Sequence, residues 1–82
     1  MTALYVLDVP ENTGIAKAAA DDPAVSVGHI GPYFEITASG TITIDRRATG
    51  CRHAVWYSAV AGVPRDSRIT QHDKNALRAE PA

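Results

Sequence analysis

The chain has 82 residues, 45% of them hydrophobic, which is enough for one domain with a single core and too much for a disordered chain. Eight Lys and Arg against nine Asp and Glu leave a net charge of −1, so no broad field draws the molecule to nucleic acid or to an acidic membrane. The single cysteine excludes an internal disulfide, no apolar run is long enough to span a bilayer, and no basic-then-apolar leader follows Met1; the expectation is one cytoplasmic domain over residues 1–82.

In chain order, Ala3 to Val9 is rich in strand formers and is closed by Pro10, which has no N–H to give to a ladder. Because the run is apolar on both faces, it reads as a central strand. Between Glu11 and Asp22 the character changes. Asn12 or Thr13 caps a short Ala-rich helix whose only large apolar side chain is Ile15, and Pro23 stops it. Val25 to Ile30 resumes a strand, followed either by a turn at Ile30–Pro32 or by a glycine bulge in one longer strand.

From Tyr33 to Asp45 the side chains alternate with a period of two. Phe34 and Ile36 share one face, and Ile42 and Ile44 stand apart from Thr41, Thr43 and Asp45 in the same way. A three-residue loop, Ala38 to Gly40, brings the two apolar faces together. The pattern therefore predicts a hairpin with Ile36 opposite Ile42, Phe34 opposite Ile44, and Gly40 at positive φ, where a β-branched residue is poorly tolerated.

Arg46 to Gly50 reads as a polar connection ending in a turn. Cys51 to Ala61 carries two patterns: Cys51, Val55 and Ala59 recur at helical spacing, while Val55, Trp56, Tyr57 and Val60 favour a pleated surface, and the second pattern predicts a strand. A loop through Pro64 and Asp66, a short strand at Arg68–Gln71, a polar Asp73–Asn75 segment and a tail fraying over 80–82 complete the chain. The expected fold is α+β and β-dominated: a small antiparallel sheet of five or six strands with one short helix near the N-terminus.

Four groups of residues are candidates for chemistry or contact. On a strand, Cys51 and His53 project from the same face, which suits a thiolate activated by an imidazole, or two zinc ligands with His29 or His72 as a third. No second ligand pair stands at zinc-site spacing, so neither a metal nor a cofactor is expected, and a lone cysteine also serves as a small buried hydrophobe. Arg46, Arg47 and Arg52 bracket a turn and form a candidate anion clamp, or simply a solvated loop. Trp56 and Tyr57 face opposite ways on a strand, so only one of them can line a site and the other is core or interface; one of the two is expected to be partly covered by another chain. His72-Asp73 has the order of an oriented general base and equally that of a surface turn.

Such a small sheet has edges that need cover. The leading expectation is a module that acts by assembling, as a homodimer or larger, or as an accessory subunit of a larger enzyme. The alternative is a small enzyme or ligand-binding protein whose site lies at a subunit boundary and uses Cys51, His53 and the nearby arginines. No nucleic acid and no membrane is expected as a partner.

Overall fold

Strand β1, Thr2–Leu7, is built on Thr2, Tyr5 and Val6, which favour a pleated surface, and it lies inside a sheet with a neighbour on each side. The computed structural model describes residues 1–82. A single 3-10 turn at Pro10–Asn12 leads into helix α1, Thr13–Ala20, which buries Ile15, Ala16 and Ala19. Strands β2 (Val25–Ile30) and β3 (Tyr33–Ala38) form a hairpin in which Ile30 faces Tyr33 across Gly31-Pro32. Gly31 has φ 55°, and a glycine at positive φ in the first of two loop positions is the requirement of a type II′ turn.

The seven strands form two antiparallel sheets. The first has the order β2-β3-β1-β5, with β5 at Val60–Gly62; the second has the order β4-β7-β6, from Ile42–Asp45, Ala76–Pro81 and Ser67–His72. The fold class is α+β and dominated by strands, as the sequence predicts, with the strands divided between two sheets. Both sheets and α1 contribute to one core, in which Leu4, Val6, Ile36, Ile42, Ile44 and Leu77 are at most 1% exposed.

The predicted hairpin between Ile36 and Ile42 does not form. Ile36 stands between Leu4 of β1 and Val27 of β2, so both edges of β3 are occupied. The chain crosses at Ser39–Thr41 to the other sheet, where Ile42 faces Ala79 and Ile44 faces Leu77. The alternation identified the buried faces, since Phe34, Ile36, Ile42 and Ile44 all enter the core, but not the pairing partner. Gly40 is not at positive φ, and a Cβ there meets nothing within 4 Å. Gly40→Val is therefore expected to shift stability by less than about 0.5 kcal/mol in urea unfolding, the range for open surface sites. A loss above about 1 kcal/mol would mean that the loop does need glycine.

The second correction concerns Cys51–Ala61. Arg46–Thr49 is a single helical turn, α2, closed by Gly50 in the left-handed region at φ 69°. Helix α3 then runs His53–Ser58, and only Val60–Gly62 pairs as a strand. The helical spacing decides this segment because it places Cys51, Val55, Trp56 and Ala59 toward the core, three of them buried and Val55 partly so. As a strand, the run would have aimed Trp56 and Val55 in opposite directions. At the C-terminus β7 continues through Glu80 to Pro81, and the Ala82 amide donates to the Asp66 carbonyl at 2.9 Å.

Candidate functional site

Cys51 and His53 do not share a strand face. Cys51 lies in the link between α2 and α3, 9% exposed; its amide donates to Thr49 Oγ1 (3.1 Å) and its Sγ lies 3.7 Å from the Glu11 carbonyl, inside the fold. His53 is the first residue of α3, exposed, with its ring 6.5 Å from that of Tyr57. A thiol in this position is shielded from reagents. Iodoacetamide is expected to label Cys51 in the native protein at least about ten-fold more slowly than in urea, because reaction must wait for local opening. Fast labelling of the folded protein that His53→Ala removes would instead restore the thiolate reading.

The arginines divide by role. The Arg46 amide donates to the Asn75 carbonyl at 3.0 Å and its Nε donates to the Lys74 carbonyl, so α2 is fastened to the β6–β7 turn. Arg47 and Arg52 are exposed. The same turn is fastened to α3 by Trp56, which is fully buried and whose indole N–H donates to the Asp73 carbonyl at 2.7 Å. Trp56 is thus a core residue and not an interface residue, and the structural role of Arg46 at this junction carries no marker in the sequence.

His72 packs against the edge of the Trp56 ring, with centroids 5.6 Å apart and planes at 73°, and its Nε2 lies 3.2 Å from the Trp56 carbonyl. Its ring is also 5.2 Å from that of Tyr57, which remains 48% exposed. Asp73 does not orient this imidazole. Its carboxylate accepts from the amides of Asn75 (2.9 Å) and Ala76 (3.0 Å) and from the Gln71 side chain (3.0 Å). The Ala76 amide foremost, then the Asn75 amide and Gln71, hold its pKa below the ordinary carboxylate value. The turn is consequently closed by a charged cap, which strengthens above the usual Asp range and is lost as pH falls through the lowered pKa.

The remaining histidine, His29, sits on the four-stranded sheet, 3.1 Å from the Asp8 carboxylate and 5.0 Å from the Phe34 ring, and so joins neither Cys51 nor His53. No three His, Cys, Asp or Glu side chains gather as a metal site would require. On the same sheet, Tyr5, Ile30, Gly31, Pro32 and Tyr33 line a shallow, open groove. It continues a cross-strand row, Leu7–Tyr33–Ile30, in which Leu7 is 40% and Ile30 50% exposed. No helix is long and apolar enough to cross a membrane.

The molecule thus presents two exposed surfaces: an aromatic and cationic end where α2, α3 and the β6–β7 turn meet, and an apolar row on the outer face of the first sheet. No protein-family model matches the sequence. No curated protein matches it either. Among solved structures, the fold is similar to that of a chain in the phenol hydroxylase–regulatory protein complex, with a TM-score of 0.75 over 96% of this chain and 95% of that one. The two sequences are 15% identical, so what they share is the fold.

Proposed function

We propose that this chain is an accessory subunit that binds a larger enzyme and adjusts its activity, with a hydroxylase as the enzyme class. The observation that carries the reading is the whole-length likeness: it takes in 95% of a chain from an enzyme–regulatory protein complex, and so extends over an entire subunit and not a shared supersecondary motif. Fold alone does not assign function. The surface agrees with the reading, because half-exposed Tyr57 and the row through Leu7 and Ile30 are the kind of surface that meets another protein. A partner of this kind is bound by a face and needs no enclosed pocket.

The experiment is sedimentation of the purified protein with a hydroxylase from the same organism. Co-sedimentation in a fixed stoichiometry is expected. Sedimentation of the two as separate species across micromolar concentrations would remove the support for an accessory role. Self-association of the chain, with no complex formed, would favour the assembly reading instead.

A further inference from the structure

Charge is spread unevenly along the chain and between its two halves. Residues 1–38 hold five acidic side chains and one basic one, a net of −4; residues 39–82 hold four acidic and seven basic, a net of +3. The basic surplus is concentrated by the fold. Fastening of Arg46 to the Lys74 and Asn75 carbonyls brings the backbone of Lys74 to the start of α2, the turn that carries exposed Arg47, while Arg52 opens α3 and Arg78 faces solvent between Thr43 and Gln71.

The carboxylates close to this end are Glu11, Asp45 and Asp73, and Asp73 is already engaged by its own turn. No lysine or arginine forms an ion pair in the structure; the single charged pair is His29 with Asp8, on the other sheet. The cations at the α2–α3 end are therefore free to be matched from outside. At the same end Tyr57 is half exposed, its ring 5.2 Å from that of His72 and 6.5 Å from that of His53. A large ring with packed neighbours loses less freedom on binding than an unsupported one, and Tyr and Arg are both enriched in binding hot spots.

We infer that the end formed by Tyr57, Arg47, Arg52 and Lys74 is the docking surface, and that its partner presents an acidic patch around a pocket for the tyrosine ring. This rests on the accessory-subunit reading and deepens it by naming the face and the chemistry it meets. Complementary charge steers encounter and fixes orientation, whereas the uncharged row at Leu7, Tyr33 and Ile30 offers neither. The acidic half of the molecule is repelled by the same patch, so the charge asymmetry selects one orientation of approach.

The test is association kinetics with the same hydroxylase, in about 0.05 M and about 0.5 M NaCl. Arg47→Glu with Lys74→Glu is expected to slow association at least about ten-fold at the lower salt, with most of the difference gone at the higher. Tyr57→Ala is expected to speed dissociation about ten-fold or more, and Ile30→Ser to change neither rate. These sites are exposed, and the near-ultraviolet signal of buried Trp56 reports whether each variant is folded. If wild type binds while the charge-reversed variant associates at the wild-type rate, or Ile30→Ser abolishes binding, the docking face is overturned and the accessory role survives. If wild type does not bind, both fall.

Discussion

Gly14→Ala is expected to destabilise the domain by about 3 kcal/mol or more, at the upper end of what overpacking does. A Cβ built on Gly14 would lie 2.0 Å from the Thr49 carbonyl oxygen and 3.0 Å from its carbon, which is backbone of α2 and not the movable end of a side chain. Helix propensity argues the other way. Alanine is favoured over glycine in a helix by up to about 1 kcal/mol, so propensity alone predicts a gain. The sign of the effect thus separates the two accounts. To relieve the contact, α1 must shift away from α2, disturbing the buried Thr49, whose hydroxyl donates to Arg46 and accepts from the Cys51 amide. Gly28→Ala is the control, since a Cβ there meets nothing within 4 Å. A higher urea midpoint for Gly14→Ala than for wild type would show that the close approach of α1 to α2 is absent in solution.

Trp56→Ala is expected to remove most of the stability. Truncating a fully buried Trp generally takes 3–5 kcal/mol, and a domain of this length has in all only about 4–12 kcal/mol. The loss has two parts, one from the cavity and one from the Asp73 carbonyl left without its indole donor. Trp56→Phe separates them: it keeps most of the ring volume and is expected to lose about 1–2 kcal/mol, with the β6–β7 turn loosened. Urea unfolding followed by far-ultraviolet circular dichroism measures both. A loss below about 1 kcal/mol for the alanine variant would mean that Trp56 is not the centre of this junction.

The sequence was legible where local chemistry decides. Pro10 and Pro23 lie just beyond β1 and α1, the apolar run read at Ala3–Val9 forms an inner strand over Thr2–Leu7, and Gly31-Pro32 makes the turn between β2 and β3. It was not legible where partners lie far along the chain. Alternation in Phe34, Ile36, Ile42 and Ile44 says that each faces a core, but a period of two is the same whichever strand lies alongside, and here the neighbour of β4 is β7, more than thirty residues away. In α3, the β-favouring residues Val55, Trp56 and Tyr57 outweighed the helical spacing of Cys51, Val55 and Ala59; packing of one helical face resolved it, as tertiary contacts commonly override propensity. One signal went unread. A glycine inside an otherwise Ala-rich helical run gives up helix stability, and such a position marks a close approach, here to Thr49.

Nothing in the sequence marks the roles that the candidate residues take in the fold. Arg46 and Trp56 both fasten the β6–β7 turn, and Trp56, Tyr57, His72 and His53 pack in a chain beside it, so that Trp56 is core, Arg46 is a fastener and Tyr57 is the exposed aromatic, while Arg47 and Arg52 are exposed. Cys51 lies beneath that region with its sulphur toward the Glu11 carbonyl.

The accessory role is tested most directly by turnover. A hydroxylase from the same organism is assayed at fixed concentration while this protein is added from none to a several-fold excess. The account predicts a saturable change in the rate of product formation, or in product formed per reductant consumed, that breaks near a fixed ratio of the two proteins and is lost with Trp56→Ala. Rates and product yields that stay flat across the whole titration, with the folded wild-type protein present in excess, would contradict it.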